Sequence, residues 1–227
     1  MKVPLFALAI SLTVVTVSGW WTAAVDAYAK ADAYYPATYT IRIEEYNNDN
    51  KLLSVETGTV LQRWTGTAME TTVLRAEKNS KDITKDWQKR FDKQNGGNRP
   101  SDTNNSGGPP EGFDISPFEK KYYADLVIDT ARMTVVDGKI AVPYSVNNKK
   151  SKAEGTAYFT AEGVPLGAVQ TYNKLPPLVE SLTAEFSYLA FDDALVMKSF
   201  TMNTLVNAVI AVKRYKVSMV FDQWKKK

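Results

Sequence analysis

Over most of this chain, apolar and polar residues alternate with a period of two. Tyr39, Ile41 and Ile43 alternate with Thr40, Arg42 and Glu44, the pattern of a strand buried on one face. Residues 52–64 continue as strand, with a phase shift around Gly58 that predicts a bulge. Residues 67–76 follow, and residues 122–136 read as one long strand reaching Asp137-Gly138, a strong hairpin signal. Ile140, Val142, Tyr144 and Val146 alternate on the way back, and residues 149–152 form a polar turn before a strand at 155–161. Glu162-Gly163-Val164-Pro165 turns into residues 166–172, and Pro176 and Pro177 break the ladder before Leu182, Ala184, Phe186 and Tyr188 resume it. The last strands are residues 196–204 and the set Tyr215, Val217, Met219 and Phe221, set against Arg214, Lys216 and Ser218. About ten strands joined by short turns predict a single antiparallel meander, and a sheet that long must curl, close or be covered.

One segment breaks the rhythm. Residues 82–94 contain no glycine or proline and place Ile83, Trp87 and Phe91 on one helical face, with Lys85, Lys89, Arg90 and Lys93 elsewhere and Asp82 as N-cap. Residues 95–112, rich in Asn, Gly, Ser and Pro, cannot build a core and read as a flexible insertion. The expected class is mainly β with an α+β character: a large curved antiparallel sheet, an incomplete half-open barrel, plugged or lidded by one inserted amphipathic helix.

The chemistry available is narrow. Among 227 residues there is no histidine and no cysteine, which removes imidazole-based triads, thiol nucleophiles, redox pairs, iron–sulfur clusters and disulfides. Asp192-Asp193 and Glu44-Glu45 are the acidic pairs, but neighbours in a strand point to opposite faces, so neither makes a two-carboxylate site. Asp192-Asp193 reads as a turn. No catalytic residue, metal site or cofactor is expected. The balance of 28 basic and 25 acidic residues is too even for a nucleic-acid binder, and the basic run from Lys225 reads as a solvated end.

The N-terminus has the layout of an export signal: Met1-Lys2, an apolar run over residues 5–17, then Ala23, Ala24, Ala27, Ala29 and Ala31. The apolar run is shorter than the ~20 residues a spanning helix needs. The expected division is therefore a signal peptide over residues 1–29, cut near Ala27 or Ala29, and one domain over 30–227 containing the 95–112 insertion, with the mature protein soluble and periplasmic.

The order of parts resembles the LolA/LolB-like periplasmic lipoprotein-sorting carriers. The resemblance rests on Lys81-Asp82-Ile83-Thr84 opening the inserted helix, Pro117-Phe118, and Gly155-Thr156-Ala157-Tyr158-Phe159 with Gly163-x-Pro165 at a hairpin. A final strand runs from Arg214-Tyr215 to Phe221-x-x-Trp224. No arginine aligns with the one that locks the lid of the sorting carrier, although Arg63 and Arg75 lie in the corresponding half. The resemblance implies a half-barrel around helices with an apolar cavity for lipid or lipoprotein acyl chains, envelope membrane proteins as donor and acceptor, and a monomer. The cavity and lid residues read from the pattern are Ile41, Ile43, Trp64, Ile83, Trp87, Phe91, Phe118, Ile128, Phe159, Phe186, Tyr188 and Phe221. Two other readings stay open: an adaptor gripping a protein partner through the same half-barrel, and a carboxylate enzyme.

Overall fold

The computed structural model describes residues 16–96, 116–147, 152–208 and 211–227. The first strands are β1 (Tyr34–Tyr46), β2 (Leu52–Trp64), β3 (Met69–Lys78) and β4 (Lys81–Asp82). Short strands β5 (Leu126–Ile128) and β6 (Thr134–Val136) precede β7 (Lys139–Asn147), β8 (Lys152–Phe159) and β9 (Pro165–Tyr172). Three long strands complete the set: β10 (Val179–Phe191), β11 (Ala194–Ala208) and β12 (Ala211–Lys226). All twelve lie in one antiparallel sheet of order β4-β3-β2-β1-β12-β11-β10-β9-β8-β7-β5, with β6 also on β7. The meander is thus re-joined once, where β1 returns beside β12 and Tyr34 stands opposite Lys226 and Tyr46 opposite Arg214. The end strands β4 and β5 do not meet, so the curved sheet stays an open half-barrel.

Local chemistry explains the turns. Asp137 and Gly138 both have positive φ, 51° and 75°, as the two-residue β6–β7 turn requires. The predicted bulge lies between Thr59 and Val60 in the pairing of β2 with β3, one residue past Gly58. Asp192-Asp193 is the β10–β11 turn: Tyr34 Oη donates to both carboxylates, and Lys30 pairs with Asp193 at 3.0 Å.

One expectation is corrected. Residues 122–136 are not one strand: a 3-10 turn (Lys120–Asp125), β5, a second 3-10 turn (Thr130–Arg132) and β6 share that length. Asp129 causes the break, because its carboxylate accepts from the Arg132 backbone N–H at 3.2 Å and from the Arg132 guanidinium, holding the chain in a turn. Two α-helices lie among the described residues: besides α2 (Thr84–Gly96), the concave face carries α1 (Val17–Ala29), which falls within the stretch expected to be the leader. Thr16 caps α1, its Oγ1 accepting from the Gly19 N–H, and Trp21, Ala24 and Val25 form the buried stripe at i, i+3 and i+4. Residues 1–15, most of the 95–112 insertion and most of the 149–152 turn lie outside the described residues.

The main core sits under α1. Trp21, fully buried, packs at ring separations of 5.3 Å on Phe118, 5.3 Å on Tyr144 and 5.7 Å on Phe159. Phe118 touches Tyr188 at 5.2 Å, and Phe186 meets Phe200 at 5.3 Å. Each of these aromatic rings removes large apolar area from water, and truncating one costs about 3–5 kcal/mol.

Candidate functional site

The two helices share the concave face, and each presses a tryptophan onto a glycine. The Trp20 ring lies where a side chain on Gly163 would stand, and the Trp87 ring where one on Gly58 would stand. Without Cβ atoms at those points the rings come close to the backbone, of β2 at Gly58 and of the β8–β9 turn at Gly163.

α2 is bound to the edge of the sheet. Asp82 Oδ1 accepts from the Thr84 N–H at 2.8 Å, but the N-cap is Ile83, whose carbonyl accepts from Trp87 N at 3.0 Å; Asp82 lies one residue before it, in β4. Thr84 Oγ1 accepts from Ala76 N at 2.9 Å, and Gln88 Oε1 accepts from Val73 N at 2.7 Å. These bonds satisfy backbone donors of β3, so α2 covers a strand edge that would otherwise offer itself for pairing. Beneath it, Val73, Ala76 and Trp87 form a small cluster, flanked by Ile41, Ile43, Ile83 and Phe91. Glu56 closes the cluster on one side. It accepts from Trp87 Nε1 at 3.3 Å and from Lys78 Nζ at 2.8 Å, with Arg90 at 3.4 Å. Burial pushes the Glu56 carboxyl up, but the bonds from Lys78 and Trp87 and the nearby cations outweigh it and hold the pKa below its ordinary value.

α1 rests on a larger and drier base. Trp21 Nε1 donates to the Pro117 carbonyl at 3.3 Å, and the Tyr188 hydroxyl bonds Ser116 Oγ at 2.8 Å, so the re-entrant Ser116–Pro117–Phe118 stretch is locked under the helix. Deeper still, Tyr144 Oη donates to Gln170 Oε1 at 2.7 Å and Gln170 Nε2 donates to Tyr172 Oη at 2.7 Å, a satisfied polar chain within the core. Burial raises the Tyr144 and Tyr188 hydroxyls well above 10 and moves Tyr39 to about 12.

Between the two helices a row of apolar side chains is left half covered. On the concave face, register places Ile43 beside Val217 and Val217 beside Met202; the next row runs Ile41, Met219, Phe200 and Phe186. Exposure rises across these rows: Phe200, Phe186 and Met219 are buried, whereas Ile41, Ile43, Val217 and Met202 are intermediate. Phe91 stands at the boundary, touching both the main core and the α2 cluster. The result is an apolar trough with α2 on one side and α1 on the other.

The predicted site residues therefore separate. Ile41, Ile43, Ile83, Trp87 and Phe91 come together around α2, and Phe221 packs on the main core with its ring 6.0 Å from Tyr39. Phe118, Phe159, Phe186 and Tyr188 are solid core under α1, at most 5% exposed, and present no free surface. Ile128 lies near the far edge of the sheet, and Trp64 ends β2 with Lys227 Nζ 5.8 Å from its ring, away from the trough. Val217 and Met202 went unread as site residues; alternation places them on the concave face, where both are half-buried and the register sets them beside Ile43. A hollow of about 540 Å³, lined by Tyr46, Asn203, Leu205, Arg214, Tyr215 and Lys216 among others, mixes polar and apolar side chains.

Glu44 and Glu45 do face opposite ways, Glu44 held by Arg42 at 2.8 Å and Glu45 by Lys213. Among the described residues no three acidic side chains gather as metal ligands, and no helix is long and apolar enough to cross a membrane.

No family model matches the sequence, and no curated protein matches it. Solved structures give loose likenesses. A MucA/MucB complex of Pseudomonas aeruginosa is 10% identical, covering 93% of this chain and 99% of that one at a TM-score of 0.23. MucB in complex with MucA(peri) is 9% identical over the same shares, at a TM-score of 0.24. The di-domain ARO/CYC BexL of the BE-7585A biosynthetic pathway is 8% identical over 90% of this chain and 81% of that one, at 0.20.

Proposed function

We propose that this is an exported, non-enzymatic binding protein that holds the apolar part of an amphiphile, such as a lipid or lipoprotein acyl chain, in the trough between α1 and α2. One observation carries the reading: Ile41, Ile43, Val217 and Met202 are only half-buried on the concave face, beside a row in which Phe186, Phe200 and Met219 are buried. Two fully seated helices bracket the row, so its exposure is built into the fold. An acyl chain laid there gains roughly 0.8 kcal/mol per buried methylene. The lack of histidine and cysteine, and the pairing of Glu44, Glu45 and Glu56 with cations, fit a holder better than a catalyst. The N-terminal export signal expected within residues 1–29 belongs to this reading, with the periplasm as destination.

A protein partner is the second reading, favoured by the opposite edge of the sheet. There β5 and β6 are three residues each, and Val127 (63% exposed) and Val135 (73%) stand open to solvent. An added strand could pair along such an edge. Native mass spectrometry of protein purified from its own envelope separates the two. A lipid-sized adduct supports the carrier; a stoichiometric polypeptide without lipid supports the adaptor.

A further inference from the structure

We infer that the exported chain is cut between Gly19 and Trp20, so that the mature protein keeps α1 from Trp20 onward. The inference rests on the export reading above and fixes where that export signal ends.

Sequence alone leaves the cut open. Peptidases that remove export signals take small residues just before the scissile bond, soon after the apolar run. Val17-Ser18-Gly19, Thr22-Ala23-Ala24, Val25-Asp26-Ala27 and Ala27-Tyr28-Ala29 all offer a small final residue. The fold distinguishes them. A cut after Ala24 removes Trp21 and Ala24, and a cut after Ala27 or Ala29 removes Val25 as well; these are the three residues by which α1 is buried. The core around Phe118, Tyr144 and Phe159 would lose the ring that joins them, and the Pro117 carbonyl would lose its indole partner. The Trp20 ring over Gly163 would go too, leaving a bare glycine at positive φ beside a hollow.

A cut after Gly19 removes none of these. Thr16, Ser18 and Gly19 are exposed and Val17 is half buried. What is lost is one helical turn: the Thr16 cap and the bonds from Gly19 N and Trp20 N to the Thr16 carbonyl at 2.8 and 3.2 Å. The reaction is a hydrolysis by a membrane-bound signal peptidase. Water adds across the amide, the bond from the Gly19 carbonyl carbon to the Trp20 nitrogen breaks, and the products are a Gly19 carboxylate and a Trp20 ammonium. The apolar run over residues 5–17 leaves with the first product.

The test is N-terminal sequencing and intact mass of the full chain recovered from the envelope of an expressing bacterium, with Gly19→Leu alongside. Trp20 should be the first residue of the wild type. Gly19→Leu, altered at an exposed position that the folded core does not use, should accumulate as uncut precursor. A wild-type start between residues 24 and 32 overturns this inference and leaves export standing. A wild-type protein still beginning at Met1 overturns both. Gly19→Leu processed as fast as wild type, with the same first residue, also overturns it.

Discussion

The two ends of the concave face solve one problem in different ways. Both need a helix to cover apolar strands, and both seat a tryptophan on a glycine. Under α1 the helix is one wall of a continuous aromatic core, with Trp21, Phe118, Phe159 and Tyr188 almost fully buried. Under α2 only Val73, Ala76 and Trp87 are buried, and the helix is held as much by hydrogen bonds to β3 and by the Glu56 cluster as by apolar contact. α1 is therefore part of the foundation, while α2 is an edge cover. The trough lies where those two kinds of attachment meet.

The sharpest way to break the comparison is to truncate the two tryptophans. Trp21→Ala should cost about 3–5 kcal/mol of unfolding free energy, the range for a large ring in a core that cannot collapse around the gap. Trp87→Ala should cost about 2 kcal/mol, since only a small cluster lines its site. Urea denaturation measures both; equal losses would mean that the halves are equally solid.

Gly58→Ala sharpens it. A Cβ there collides with the Trp87 ring, so the ring must leave the sheet. The expected loss is about 1–3 kcal/mol, as in other overpacked sites. A red shift of tryptophan emission should accompany it while β-sheet circular dichroism is unchanged. An unshifted spectrum would mean that the ring does not rest on Gly58.

Alkali should act on the α1 half first. Tyr39 is held to about 12, and Tyr144 and Tyr188 stand well above 10, all through burial. The unfolded chain loses these protons near 10, so above that pH it binds fewer protons than the folded chain and is favoured. Stability should be level below pH 10 and fall as pH rises from there toward 12. A melting temperature unchanged between pH 9 and 11.5 would count against these hydroxyls being buried.

The smallest effect belongs to Glu56→Gln, about 1 kcal/mol or less, because its partners Lys78 and Arg90 are largely exposed. Its pKa is depressed when folded, so its stabilisation is complete above the ordinary value of 4.5 and fades as pH falls below it. Hydrogen exchange should show faster opening of α2 alone; equal change in α1 would contradict the separation of the halves.

Most strands were legible from their period of two: β2 spans the residues 52–64 read as strand, with the bulge near Gly58 as a phase shift, whereas residues 122–136 hold two short strands and not one. The α2 stripe of Ile83, Trp87 and Phe91 was legible for the same kind of reason. α1 was not, because Val17 to Ala29 combines the end of an apolar run with five alanines and glycines, a composition that a leader shares. Its own signal, Trp21, Ala24, Val25 and Tyr28 at helical spacing, was present. The trough was only half legible: alternation puts Val217 and Met202 on the inner face, but whether an inner residue is sealed depends on which strands the helices cross, and that is long-range. Phe186 shows the converse: alternation puts it on the same inner face, and there it is 4% exposed within the core.

The most direct test of the trough is a titration of the protein with a fluorescent long-chain fatty acid, comparing wild type with Val217→Asp. Val217 is half exposed, so the carboxylate can reach water and the variant should melt close to the wild type. The account predicts saturable one-to-one binding by the wild type, a change in Trp87 emission on filling, and at least tenfold weaker binding by Val217→Asp, since an uncompensated charge on an apolar floor costs more than 1.4 kcal/mol. Equal binding by both proteins, or no saturable binding by the wild type, would contradict it.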